Sequence, residues 1–70
     1  MTLPRVPAEV VAAGMALDRA SSKDELEAIW RANGCDRFRS ASRTYLMSIY
    51  RAVIARLDRN AEALRLARAI

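Results

Sequence analysis

Arg31, Arg37, Arg39 and Arg43 fall within thirteen residues that contain one acid, Asp36, and they bracket Phe38 and the hydroxyls of Ser40 and Ser42. Guanidinium forks, serine hydroxyls and the free backbone N–H groups of a starting helix are together suited to holding phosphates. The competing reading is a solvated surface, since arginine is common on helices that touch nothing. Beside the cluster stand four aromatic residues, Trp30, Phe38, Tyr45 and Tyr50. They could stack bases or anchor a protein partner. Trp30 and Tyr50 fall on apolar helix faces, however, which predicts that they fill a core. Tyr45 projects away from that stripe and is the aromatic residue expected to be exposed.

Catalytic chemistry finds little to work with. The chain has no histidine and one lysine, and its carboxylates sit where helix caps and outer faces want them. Asp24 and Glu27, three apart, lie at the start of a predicted helix, where the dipole favours acids. Cys35 has Arg37 nearby, which would favour a reactive thiolate, but a small apolar residue just after a helix-ending glycine more often seals the cap. No enzyme activity and no cofactor are expected. One thiol without histidine also leaves no set of ligands for a structural zinc.

The elements that would position these residues can be read from caps and periodicity. Pro4 and Pro7 give 1–6 the character of an extended arm, and Pro7 suits the first position of a helix running to about Arg19. Val10, Ala13, Gly14 and Leu17 share one face of it, with Val11 and Met15 beside them. Gly14 marks a close helix crossing, because in a helix interior it otherwise costs about 1 kcal/mol against alanine. Ser22 with Glu25 three residues on reads as a capping box, so a second helix spans about 23–33. Its buried face is Leu26, Ile29, Trp30 and Asn33, Glu27 is placed to pair with Lys23 or Arg31, and Gly34 ends it in the left-handed conformation.

After a connector to Ser42, in which Phe38 should turn toward Trp30 and Ser40 or Ser42 should cap, a third helix runs over about 42–68 with no Gly or Pro to stop it. Leu46, Ile49, Tyr50, Val53, Ile54 and Leu57 make its apolar face, and Ala61 and Leu64 extend it. Tyr50, Val53, Leu57, Asn60 and Leu64 also step by three and four, the seam of a coiled coil, with Asn60 as the one polar residue that would fix register. The alternative is a break near Asp58 to Asn60 and a short fourth helix. Arg51, Arg56, Arg59, Arg65 and Arg68 are spread around this helix and mixed with Asp58 and Glu62, which predicts no basic stripe.

The expected fold is therefore all-α, one domain of three helices, or four if the last one breaks. Helix two should pair antiparallel with helix three, with helix one across them. A 70-residue chain buries only about 60% of its unfolded surface, so its core is marginal without help, and self-association is the help that remains when disulfide and metal are excluded. The formal charge of +4 comes from twelve basic residues, eleven of them arginine, against eight acids, and suits anionic partners without requiring them. The longest apolar run, Val10 to Leu17, is far too short to span a bilayer, so no membrane is expected, and a lone cysteine fits a reducing cytoplasm.

The run D-E-L-E-A-I-W-R-A-N, followed by Phe38, Tyr45 and the helical R-A-V-I-A-R-L, resembles a Leu-x-x-x-Trp-x-x-Asn helical-hairpin segment of small phage proteins and of the tails of some phage single-strand-annealing recombination proteins. The resemblance covers Leu26 to about Leu57 and implies an accessory or docking module of bacterial or phage origin. From the residues themselves we expect a non-enzymatic module that binds another protein and dimerises through helix three. The alternative is a nucleic-acid-binding accessory protein using the cluster from Arg31 to Arg43.

Overall fold

The structure, a computed structural model, describes residues 6–69, so the arm expected over 1–6 lies outside the described residues except for Val6. Three α-helices follow in order, with one 3-10 turn and no strand among the described residues. Helix α1 is Ala8–Asp18. Pro7 stands one residue before it, not in its first position, because its extended ψ of 144° leaves its carbonyl to accept from Val10 and Val11 N–H at 3.0 and 3.1 Å. Val10, Ala13, Gly14 and Leu17 are buried as their spacing requires, and Val11 and Met15 beside them are exposed.

No basic residue in the last turn of α1 covers its open carbonyls. Arg56, far along the chain, does so instead. Its Nη2 donates to the Asp18 carbonyl at 2.7 Å and to the Ala20 carbonyl at 3.3 Å, and its Nη1 reaches the Asp18 carboxylate at 3.3 Å.

Helix α2 is Lys23–Ala32. The Ser22 hydroxyl accepts from Glu25 N–H at 3.1 Å, which is half of a capping box. The other half is absent, since the Glu25 carboxylate accepts from Ser21 Oγ at 2.8 Å. Leu26 and Trp30 are buried and Ile29 is half-buried. Asn33 departs from the buried face: it is exposed, and its side-chain amide donates to the Ile29 carbonyl at 2.8 Å, closing the helix end. Gly34 at φ 61° then turns the chain into the 3-10 turn Cys35–Arg37.

Helix α3 is Ser40–Arg68, 29 residues without a break at Asp58 to Asn60, which removes the four-helix alternative. At 1.5 Å per residue it is about 43 Å long and dominates a molecule whose longest dimension is 55 Å. It begins two residues earlier than expected. Arg39 occupies the cap position with no side-chain bond, so neither Ser40 nor Ser42 caps the helix; Ser40 is its first residue.

The main partner of α3 is α1, and α2 packs more closely on α1 than on α3, so the expected pairing of α2 with α3 is corrected. Gly14 shows why. A Cβ built there would sit 2.9 Å from Ile49 Cδ1, 3.6 Å from Tyr45 Cε1 and 3.7 Å from Leu46 Cδ2, so the missing side chain is what lets α1 lie this close to α3. Gly14→Val is expected to cost about 1–3 kcal/mol, because the added methyls meet all three side chains. Gly14→Ala should be near neutral, since a helix gain of about 1 kcal/mol offsets the displacement of the flexible Ile49 tip. Urea midpoints of the two variants check this.

Candidate functional site

The turn after Gly34 sends successive side chains in opposite directions. Cys35 goes inward and is fully buried. Asp36 comes back under α2, where its Oδ1 accepts from the indole Nε1 of Trp30 at 3.1 Å. That bond satisfies the one polar atom of an otherwise apolar side chain and fixes the connector against α2. The Trp30 ring in turn meets Tyr50 of α3 edge to face, with centroids 5.4 Å apart and planes at 83°. Phe38 is half-buried against the same core, as its place in the connector led one to expect.

On α3, Arg43, Met47 and Arg51 recur every four residues and so form one stripe about 12 Å long. This stripe faces the Trp30–Asp36 pair across an open cleft of about 400 Å³, with Ser40, Thr44 and Ser48 along its outer side. An adjoining hollow shares Trp30, Asp36 and Met47 with this cleft and is lined also by Tyr50 of α3 and Glu27 and Arg31 of α2. Arg31 is held by Glu27 at 2.6 Å. Arg43 and Arg51 form no ion pair among the described residues.

The basic cluster of the sequence is thus divided. Arg43 borders the cleft, Arg31 lines the hollow beside it and also, together with Arg37, a third hollow bounded by Glu9, Asn33 and Phe38, and Arg39 lines none of the three. Tyr45 is 43% exposed, as expected, but its ring edge lies by Gly14 of α1 and not in the cleft. Arg51, which lies outside the cluster read from the sequence, lines the cleft together with Arg43. Its signal was the eight-residue step from Arg43, which an even spread of arginines along the helix conceals.

Of the residues assigned to a dimer seam, Val53 is 1% exposed within its own protomer and Tyr50 is packed on Trp30. Both belong to the core of the protomer, so the seam cannot extend that far toward the start of α3. Leu57 is half-buried at the edge of that core, and Asn60 and Leu64 are exposed.

Burial, and then the neighbouring Asp36 carboxylate, push the Cys35 thiol above its ordinary value, opposite to the depression that Arg37 would have produced. A raised thiol pKa means that, at alkaline pH, the unfolded chain gives up this proton more readily than the folded one. Its stabilising contribution is complete at lower pH and is lost as pH rises past the unfolded value of about 8.5. The stability of the wild type is expected to fall more steeply than that of Cys35→Ala above that pH, while the difference between them stays constant below it. Urea unfolding from pH 6 to 10, in reducing buffer, measures the difference.

Among the described residues, no three His, Cys, Asp or Glu side chains converge to hold a metal, and no helix is long and apolar enough to cross a membrane. Compared with protein-family models, curated proteins and solved structures, the chain has no significant match in any of the three.

Proposed function

We propose that this chain is a non-enzymatic helical protein-interaction module that works through the free end of α3 and takes a second copy of itself as partner. The observation that carries this reading is the contrast along one helix. Leu46 and Val53 are completely or almost completely buried, whereas every residue from Asp58 to Ala69 is exposed, Leu64 and Leu66 at 59% each. About three turns of helix therefore stand clear of the rest of the fold. An isolated stretch of that length is marginal in water and gains from a neighbour.

Charge favours a second copy in that place. The free end carries Asp58 and Glu62 toward its start and Arg65 and Arg68 toward its finish. An antiparallel register that sets Leu64 across from Ala61 brings Asp58 of each copy opposite Ala67 of the other, one residue from Arg68. Such self-complementarity suits a two-fold interface, in which the same surface serves both copies. Asn60 flanks the contact and disfavours sliding along the helix.

Sedimentation equilibrium tests the proposal. The wild type should dimerise and Leu64→Glu should be monomeric with unchanged helix content. A wild type that stays monomeric at every concentration reached would overturn it.

A further inference from the structure

We propose that the cleft between α2 and α3 binds single-stranded nucleic acid, with Arg43 and Arg51 on phosphates and an unpaired base seated between them on Met47 beside Trp30. This goes beyond the interaction at the free end of α3 and does not rest on it, since the cleft is built entirely within one protomer.

The charges point to an anion. Two guanidiniums, those of Arg43 and Arg51, line the cleft against one carboxylate, that of Asp36, which accepts from the Trp30 indole, and in the adjoining hollow Arg31 is paired with Glu27. Arg43 and Arg51 are exposed and have no ion-pair partner among the described residues, so their forks are open to phosphate oxygens. The Ser40 hydroxyl at the mouth makes no hydrogen bond among the described residues and can add a donor, whereas Thr44 and Ser48 spend theirs on the Ser40 and Tyr45 carbonyls.

The floor points to a base. Between the two arginines lies Met47, 40% exposed, whose polarisable thioether suits a flat ring, and Trp30 lines the same cleft. Basic groups that track a backbone and apolar groups that take bases are the two parts of a single-strand site. A duplex keeps its base faces stacked, so it can offer this cleft only phosphates. An acidic protein segment would satisfy the arginines but leave the apolar floor without a ring to cover it.

The test uses the full chain, a fluorescently labelled oligothymidylate, the same sequence as a duplex, and polyglutamate, each titrated at two salt concentrations. Trp30 is the only tryptophan, so its emission reports directly on the cleft. The expected result is oligothymidylate binding that shifts Trp30 emission and weakens with salt with a slope of about −1.4, for two phosphates at about −0.7 each. The duplex and polyglutamate should bind at least about tenfold more weakly. Arg43→Ala/Arg51→Ala, with unchanged melting, should abolish both the emission shift and most of the salt dependence, while Arg59→Ala and Leu64→Glu should keep them. Equal binding of duplex, tighter binding of polyglutamate, binding that leaves Trp30 unmoved, retention by the double variant, or no binding of oligothymidylate would each overturn the proposal.

Discussion

Leu46→Ala is expected to lower the stability of this protein by about 2–5 kcal/mol and its thermal midpoint by roughly 10–30 °C. Leu46 has no exposed surface and lies where α3 meets α1 at Gly14, so the lost side chain leaves a void between two helices that a glycine already holds close. A domain of this size has about 4–10 kcal/mol in total, so the substitution removes a large share of it. The buried core is small, built chiefly from Val10, Leu17, Leu26, Trp30, Leu46 and Val53, with Ala13, Ala20 and Cys35 filling between them, and around it lie only partly buried side chains such as Ile29, Ile49 and Leu57. Leu66→Ala is the matched control: the same atoms are removed from the same helix at a position 59% exposed, and the midpoint should move by no more than about 0.5 kcal/mol of stability. Circular dichroism melts of both variants beside the wild type make the comparison.

The burial of Leu46 was legible in the sequence, and its main partner helix was not. Ser22 and Gly34 bound α2 because a cap and a left-handed glycine are local chemistry that needs no tertiary information. The continuity of α3 was legible for a similar reason, since nothing between Ser42 and Arg68 breaks a helix. Which helix lies against which is a different kind of fact. The faces of α2 and α3 say that Leu26 and Leu46 are buried and Gly14 marks a crossing of α1, which the structure places on Ile49 and Leu46 of α3, but nothing local to α1 says that it, and not α2, is the main partner of α3. The start of α3 was missed because Ser40 and Ser42 are good caps by type, and tertiary placement of the connector put Arg39 in that position instead.

The candidate cleft was half legible for the same physical reason. Arg43 stands within the arginine-rich stretch of the sequence. Arg51 joins it only through the period of a helix whose azimuth is fixed by α1, and Asp36, by sequence one charge of the basic cluster, has a carboxylate that serves the Trp30 indole. The seam was over-read at Val53 because a heptad pattern marks an apolar stripe without telling whether it is used within the chain or between chains. The first half of this stripe is used within the chain.

For the second half, the largest effect is expected on the concentration dependence of stability. If the free end of α3 pairs with a second copy, association adds to the folded state by mass action, and the wild-type thermal midpoint rises with protein concentration. Leu64→Glu should make the midpoint independent of concentration and equal to that of the dilute wild type. The magnitude follows from symmetry: one substitution removes two buried leucines from the interface, each contributing about 1.5 kcal/mol or more, so the dissociation constant rises at least about 100-fold. The substitution should not harm the protomer, because Leu64 is 59% exposed within it and lies beyond the last ion pair that ties α3 to the other helices, Lys23 with Asp58 at 2.7 Å. Salt separates the two contributions to the pairing. Asp58 and Glu62 already pair with Lys23 and Arg65 within the protomer, so their attraction to arginines of the other copy is exposed, shared and weakened by ionic strength, whereas the leucine contribution is not, and the concentration dependence should diminish in high salt without vanishing. A wild-type midpoint that does not move with concentration would show that these turns of α3 do not pair with a second copy.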